Sequence, residues 1–287
     1  MRTRSSWVYS FIFRVLPTLC AAALLSGCES LFFYPSPYQF SVPREVGIKA
    51  EDIFFHNRDG NRLHGWFLPA RGEAVGTVLF LHGNAENISS HIASVYWLPA
   101  ESFNVFLPDY RGYGQSEGNP TMGGLIDDSE DALAWLMASG RVDPRRIVLF
   151  GQSLGGAVAL NVASREANRS KLQALIVDST FSSFPEIVRD KLRVFWVTWV
   201  LQYPLTMFTS NRYSPIAAVK KLDGLPLLIL HGENDEIVPA YHSPRLFEAA
   251  GEPKELWMVP GAAHIEALRR QEYRARFVNF LKPVLTP

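Results

Sequence analysis

The sequence predicts an α/β fold in which helices cover both faces of a mostly parallel sheet. Short apolar runs alternate with helical patterns along most of the chain, which is typical of parallel strands joined by helical crossovers. The Asp59-Gly60 pair lies between two extended runs and predicts that the sheet opens with an antiparallel hairpin. The chain has 287 residues, 47% of them hydrophobic, which is enough for one large domain with a sizeable core.

The individual elements follow from hydrophobic period. The hairpin is predicted within residues 52–69, and six further apolar runs predict strands at residues 76–83, 103–112, 145–153, 172–180, 226–235 and 255–264. Helical periodicity predicts helices at residues 121–139, 154–167 and 271–282. The alternation of the two kinds of element predicts a sheet buried on both faces.

Charge and motif content exclude several function classes. Lysine plus arginine and aspartate plus glutamate both number 28, so the formal net charge is zero and no basic field attracts nucleic acid. The sequence has no H-E-x-x-H motif and no cysteine cluster, so we expect neither a metal nor another cofactor. A monomer is expected.

The N-terminus has the pattern of a secretory signal. Arginines precede an apolar stretch at residues 15–25, which is shorter than the roughly 20 residues needed to span a bilayer. The stretch ends in Leu25-Ser26-Gly27-Cys28, which resembles the bacterial lipobox. We therefore predict a lipoprotein signal peptide at residues 1–27 and a lipidated Cys28; the alternative is a plain signal peptide or an uncleaved anchor.

The residue after the predicted lipidated cysteine is Glu29 rather than aspartate. By resemblance to the sorted lipoproteins of double-membrane bacteria, this favours the outer membrane, with the protein facing the periplasm. Residues 28–44 are rich in proline and aromatics and are interpreted as a tether without regular structure. The folded domain is predicted at residues 45–285.

One segment breaks the alternation of strands and helices. Residues 179–223 separate two strands with far more chain than one crossover needs, and residues 194–208 within them are densely apolar and aromatic. We interpret this insertion as a small helical cap over the C-terminal edge of the sheet, where it could line an acyl pocket. The alternative is an extra pair of core helices.

Three side chains directly after predicted strands have the chemistry of a nucleophile, an acid and a base. Ser153 lies in the G-x-S-x-G pattern, where a sharp turn exposes the hydroxyl at the start of a helix. Asp235 and His264 follow two later strands. Because functional groups of open α/β sheets gather beyond the carboxyl ends of the strands, we predict a Ser153–Asp235–His264 triad. Asp178 also follows a strand and is kept as an alternative acid.

An acyl-transfer site also needs donors for a developing oxyanion. The first amide of the helix after the nucleophile belongs to Leu154, and a second can come from the loop His82-Gly83-Asn84 after an early strand. We predict that the amides of Leu154 and Asn84 form the oxyanion hole, with Ala85 as an alternative to Asn84.

With these motifs in the order Ser, Asp, His, residues 45 to 285 resemble the α/β-hydrolase superfamily. The stretches HGNAEN, PDYRGYGQSEG, GQSLGGAVAL and HGENDEIVP resemble one group of serine hydrolases, which includes protein depalmitoylases, lysophospholipid lipases and bacterial peptidase-like hydrolases. That group usually has glycine where this chain has Glu86. The resemblance implies an α/β-hydrolase fold and a catalytic triad.

The predicted function is hydrolysis of carboxylic esters or thioesters with acyl or lipid-like substrates, near a membrane. Two alternatives remain. An aminopeptidase would use the same triad with an anionic group for the substrate amine, for which Glu86 is the candidate. An inactive, membrane-tethered interaction protein would keep only the scaffold.

Overall fold

A computed structural model describes residues 32–194 and 210–285. The predicted signal peptide, Cys28 and most of the apolar run of the predicted cap lie outside these residues. Among the helices that are described, none is both long and apolar enough to cross a bilayer.

Ten strands are found in the described residues. They are β1 (Tyr34–Pro35), β2 (Glu51–His56), β3 (Arg62–Leu68), β4 (Gly76–Leu81), β5 (Ala85–Glu86), β6 (Phe103–Pro108), β7 (Ile147–Gln152), β8 (Ala174–Asp178), β9 (Leu227–Gly232) and β10 (Lys254–Val259). Eight of them form one sheet in the order β10-β9-β8-β7-β4-β6-β3-β2, while β1 and β5 pair separately. In the large sheet β3 is antiparallel to β2 and β6, and the other neighbours are parallel. The predicted α/β architecture with an opening antiparallel hairpin is therefore confirmed.

The same residues contain eight α-helices. They are α1 (Ile88–His91), α2 (Met122–Ala138), α3 (Leu154–Ser164), α4 (Glu166–Arg169), α5 (Phe184–Val194), α6 (Pro215–Val219), α7 (His242–Ala249) and α8 (Gln271–Leu285). Short 3-10 helices lie at Pro43–Val46, Ile92–Ser94, Leu98–Glu101 and Ala267–Arg269. The predicted helix at 154–167 is split, because Arg165 between α3 and α4 has an extended backbone.

Helices bury both faces of the sheet. On one face Phe80 and Phe150 lie with ring centroids 5.2 Å apart, and Phe277 of α8 packs 5.5 Å from Phe150. On the other face Leu79 and Leu149 belong to a larger apolar cluster, here called the main apolar cluster, which includes residues of α3. Full burial of such side chains stabilises the fold by about 1.5–3 kcal/mol each, which explains why the central strands are continuously apolar rather than alternating.

The structure corrects the interpretation of residues 28–44 as a tether without regular structure. In the described part of this segment, β1 pairs in parallel with β5, and a 3-10 helix begins at Pro43. Phe33 is only 8% exposed and joins the main apolar cluster. The proline and aromatic content suggested a loop, but backbone pairing with the loop after β4 gives the segment a fixed place.

The start and end of the insertion at residues 179–223 are fixed against the domain. The Phe184 amide donates to Ser214 Oγ over 3.1 Å, and the Ile216 amide donates to the Ser182 carbonyl over 2.8 Å. Asn161 of α3 donates from Nδ2 to the carbonyl of Tyr213 over 2.9 Å. Helices α5 and α6 therefore lie at the start and the end of the insertion. Residues 195–209, which contain most of the predicted cap, lie outside the described part.

Candidate active site

Ser153 occupies a strained turn between β7 and α3. Its φ of 54° and ψ of −118° define a conformation that residues with a side chain rarely adopt. Holding a residue in such a conformation costs about 1–3 kcal/mol of folding free energy. The turn is held because the Ser153 amide donates to the Asp178 carbonyl over 2.9 Å and Thr180 Oγ1 donates to the Ser153 carbonyl over 2.8 Å. The Ser153 hydroxyl does not cap the helix. It is therefore available for chemistry.

The glycines of the G-x-S-x-G pattern allow backbone segments to approach one another closely. A Cβ on Gly151 would lie 2.2 Å from the Gly155 carbonyl oxygen, and one on Gly155 would lie 2.1 Å from the Leu81 carbonyl oxygen. Neither position can hold a side chain, because such distances are far below van der Waals contact. The pattern therefore brings the start of α3 against the end of β4, where the predicted oxyanion loop begins.

Asp235 and His264 are hydrogen-bonded to each other. His264 Nδ1 lies 2.7 Å from Asp235 Oδ2, in a contact where the Asp235 side chain is fully buried and that of His264 is 18% exposed. Asp235 Oδ1 accepts from the amides of Ile237 and Val238, both over 2.8 Å. An ionised carboxylate only accepts, so Nδ1 carries the proton and Nε2 of His264 is left as a base.

The environment of Asp235 keeps its carboxylate charged. Burial alone would raise its pKa, but hydrogen bonds with His231 and His264 and with the Val238 amide outweigh burial and hold the pKa well below its usual range. His231 Nε2 lies 3.2 Å from Asp235 Oδ2. A charged partner at this position orients the imidazole of His264 and would stabilise its protonated form during reaction.

The alternative acid, Asp178, is engaged elsewhere. Its Oδ2 accepts from Gln152 Nε2 over 2.9 Å and its Oδ1 accepts from Ser179 Oγ over 3.1 Å. Asp178 is fully buried, and burial raises its pKa. The structure thus brings Asp235, and not Asp178, to the Nδ1 atom of His264.

Strained backbone is concentrated around these loops. Five non-glycine residues in the described part have positive φ, and all but Ser102 belong to loops of this site: Glu86, Ser153, Ser179 and Ile265. For a β-branched residue such as Ile265, with φ of 53°, this conformation is unusual. It is held by a 3.0 Å hydrogen bond from the Ile265 amide to Ser179 Oγ, which fixes the loop of His264 to the end of β8.

The loop after β4 lies directly beside the nucleophile. A Cβ on Gly83 would be only 3.6 Å from Ser153 Cβ. In the described part of the chain, the amides of Asn84 and Leu154 donate to no backbone carbonyl. These are the two donors predicted for the oxyanion hole, so both remain available for a ligand.

The structure does not form every predicted contact. Ser153 Oγ makes no hydrogen bond with His264 or with any other residue in the described ranges. In ligand-free sites this contact is often long and tightens only when substrate binds. The Ser153–His264 proton transfer therefore stays a prediction.

Comparisons with known proteins agree with this architecture. A family model described as "Serine aminopeptidase, S33" matches residues 72–214. The chain is 38% identical over 246 residues to the protein YfhR of Escherichia coli strain K12. This match covers 83% of this chain and 82% of that protein. It is 31% identical over 287 residues to the protein bem46 of Schizosaccharomyces pombe, covering 95% of this chain and 92% of that protein.

The chain is also 35% identical over 218 residues to the "Alpha/beta hydrolase domain-containing protein WAV2" of Arabidopsis thaliana, in a match that covers 73% of this chain and 69% of that protein. It belongs to the α/β-hydrolase superfamily. Among solved structures, the esterase Pf2001 of Pyrococcus furiosus has the same fold, with a TM-score of 0.72 and 21% identity over 89% of this chain and 99% of that chain. Membership of this superfamily and the match to the S33 family model make the chain a hydrolase.

Glu86 is where this α/β-hydrolase departs from the related group, which usually has glycine there. Its φ is 65°, in the left-handed region that glycine adopts without strain. A glycine at position 86 would adopt this conformation without the cost that a side chain imposes. In this chain the Glu86 carbonyl accepts from the Ser36 amide over 3.0 Å, a contact that helps to hold the unusual conformation.

Two further residues, His91 and Asp109, support the oxyanion loop, and only Asp109 lies in one of the motifs that the sequence analysis identified. His91 lies with Nε2 3.0 Å from the Ala85 carbonyl oxygen, and burial lowers the pKa of its imidazole. Asp109 accepts from the Ile88 amide over 2.9 Å, and burial raises its pKa. This contact connects the end of β6 to the loop that follows β4.

Proposed function

We propose that the protein is a serine hydrolase that cleaves carboxylic esters or thioesters of acyl or lipid-like substrates. The observation that carries the proposal is the buried, charged Asp235 bonded to His264 Nδ1, at the sheet edge where Ser153 occupies a strained turn. A strained backbone conformation such as that of Ser153 lowers the stability of the fold, and such conformations cluster at active sites. Ester-cleaving structural neighbours of the same fold support the choice of reaction.

The proposed reaction runs through an acyl-enzyme. His264 Nε2 takes the hydroxyl proton as Ser153 Oγ attacks the carbonyl carbon, and the amides of Asn84 and Leu154 stabilise the resulting oxyanion. The protonated imidazole then donates its proton to the departing alcohol or thiol. Water, deprotonated by His264 Nε2, then attacks the acyl carbon, and the imidazolium returns the proton to Ser153 Oγ as the acyl–Oγ bond breaks and the carboxylic acid leaves.

A substrate panel tests the reaction class. We expect purified protein to hydrolyse p-nitrophenyl esters at least about 10²-fold faster, in kcat/KM, than the aminoacyl-p-nitroanilides of alanine and leucine. The reason is that an anilide is intrinsically less reactive than a p-nitrophenyl ester, and only an aminopeptidase would offset this difference by binding the substrate ammonium, for which Glu86 is the candidate anion. A series of acyl lengths from acetate to laurate then measures the acyl preference.

Preference for the nitroanilides would replace this proposal with the aminopeptidase alternative. Turnover of neither series, together with failure of a fluorophosphonate probe to label Ser153 in folded protein, would favour the inactive interaction protein.

We also propose that the protein is anchored to the outer membrane through a lipidated Cys28, faces the periplasm and is monomeric. Exposed aromatic side chains close to that cysteine support membrane contact, because such rings favour the membrane–water interface. In the described residues the aromatics of this segment that face solvent are Phe32, Tyr34, Tyr38 and Phe40.

Metabolic labelling tests the anchor. Cells that express the wild-type chain should incorporate radioactive palmitate into the protein, and Cys28→Ser should abolish incorporation. Cys20→Ser is the matched control and should retain the label, because Cys20 lies within the predicted signal peptide. Continued labelling of Cys28→Ser would contradict the lipobox interpretation.

A further inference from the structure

The segment ahead of the folded domain is bound to the loop that carries the predicted oxyanion donor. We call residues 32–41 the N-terminal strap. Tyr34 and Pro35 pair in register with Ala85 and Glu86, and the Ser36 amide donates to the Glu86 carbonyl over 3.0 Å. The loop therefore gains a neighbouring strand at the residues that directly follow Asn84.

Both ends of the Asn84 side-chain amide are held. Asn84 Nδ2 donates to the carbonyl of Phe32 in the strap, and Asn84 Oδ1 accepts from the Tyr113 hydroxyl over 3.0 Å. With the side chain fixed at two points, the backbone amide of the same residue has little freedom to turn. The strap supplies one of those two points.

Asn87 fixes the strap from the other side of the loop. Its Nδ2 donates to the carbonyls of Ser36 and Tyr38 over 2.8 Å and 2.7 Å, while its Oδ1 accepts from the Ser89 amide over 2.9 Å. Further along, the Phe40 amide donates to Ser89 Oγ over 2.8 Å. One buried amide group thus connects the strap to the first turn of α1.

The strap is also anchored by packing and by a second loop. Phe33 is buried in the main apolar cluster, and the Gly114 amide donates to the Ser36 carbonyl over 3.2 Å. The strap therefore joins the loop after β4 to the loop after β6. Neither loop has another strand beside it at these residues within the described ranges.

We infer that the N-terminal strap is a positioning element of the oxyanion hole, and that catalysis requires it to be docked. This inference rests on the proposed function. Displacing a donor by about 1 Å can cost about 10²-fold in rate, so an undocked strap should lower kcat through the Asn84 amide. The strap residues themselves touch no reacting atom, and substrate binding away from the oxyanion should be unaffected.

The first test compares two phenylalanines of the strap. Phe33→Ala removes the buried anchor, whereas Phe40→Ala removes a side chain that is 51% exposed. We expect Phe33→Ala to lower kcat for p-nitrophenyl butyrate by about 10²-fold with KM within about twofold, and Phe40→Ala to match the wild type. The affinity for an alkylboronic acid, which forms a tetrahedral adduct with Ser153, should fall in parallel with kcat.

The second test leaves the apolar core untouched. Asn87→Asp keeps the oxygen that accepts from Ser89 but places a carboxylate oxygen against the carbonyls of Ser36 and Tyr38, so the strap should be released. Asn168→Asp is the control, since Asn168 is another buried amide donor, bonded to Glu130 and Val162 away from the strap. Faster cleavage of the strap by chymotrypsin reports undocking in each variant.

The outcomes are distinct. A strap that chymotrypsin cleaves rapidly in Phe33→Ala or Asn87→Asp, with kcat and boronate affinity unchanged, would overturn the inference and leave the proposed function standing. A wild-type protein that neither turns over esters nor binds the boronate would overturn the proposed function and the inference with it. Parallel loss of kcat and boronate affinity in both variants, with both controls active, supports the inference.

Discussion

Ser153→Ala should lower kcat for p-nitrophenyl butyrate by about 10⁶-fold, because the acyl-enzyme can no longer form and the members of a triad act as one unit. The hydroxyl makes no hydrogen bond that holds the fold within the described residues, so the variant should remain folded. Steady-state hydrolysis and fluorophosphonate labelling measure the loss. Urea denaturation measures the free energy of unfolding.

A second substitution at the same position separates strain from chemistry. Ser153→Gly should be equally inactive yet more stable than Ser153→Ala by about 1 kcal/mol, because glycine adopts the positive φ of 54° without the cost that a Cβ imposes. Activity above about one thousandth of wild type in either variant would exclude Ser153 as the nucleophile.

Asp235→Asn should lower kcat by about 10⁴-fold with little change in KM. An asparagine can present its NH₂ group to His264, which would then hold its proton on Nε2 and could not accept one from Ser153. The substitution also removes the charge that stabilises the imidazolium. Michaelis–Menten analysis of the same ester measures the effect.

Asp178→Asn is the matched comparison, since Asp178 is equally buried at the neighbouring strand end. Its partners are Gln152 and Ser179 rather than His264, so kcat should fall by less than about tenfold. A larger loss in Asp178→Asn than in Asp235→Asn would contradict this assignment. Asp178 would then be the acid of the triad, and the contact between His264 and Asp235 would not be the one used in the reaction.

The strand ends explain how much of the site the sequence could predict. Ser153 directly follows β7, and Asp235 and His264 lie in the loops after β9 and β10. Parallel strands present such positions at one edge of a sheet. The glycines around Ser153 are predictable for a related reason, because a close approach of β4 and α3 leaves no room for a Cβ. Local pattern and sheet geometry are sufficient for these residues.

The strap could not be found in the same way. Its attachment depends on backbone carbonyls of Phe32, Ser36 and Tyr38, and backbone groups are identical in every sequence. The partners Asn84 and Asn87 lie about fifty positions away, beyond the reach of hydrophobic period. Proline and aromatic content predicts a loop, and only the tertiary structure shows which surface the segment meets.

The short distance between the strap and Cys28 has a geometric consequence. Phe32 follows Cys28 by four residues, which span at most about 14 Å when fully extended. Asn84 donates to the Phe32 carbonyl, so the Asn84 side-chain amide must also lie within about 14 Å of Cys28, plus the length of the hydrogen bond. If Cys28 carries the lipid as proposed, the oxyanion loop is held at that distance from the acylated residue. The enzyme would then be unable to turn its catalytic edge away from the bilayer. It would sample substrates in two dimensions, within the headgroup layer, rather than in the surrounding solution.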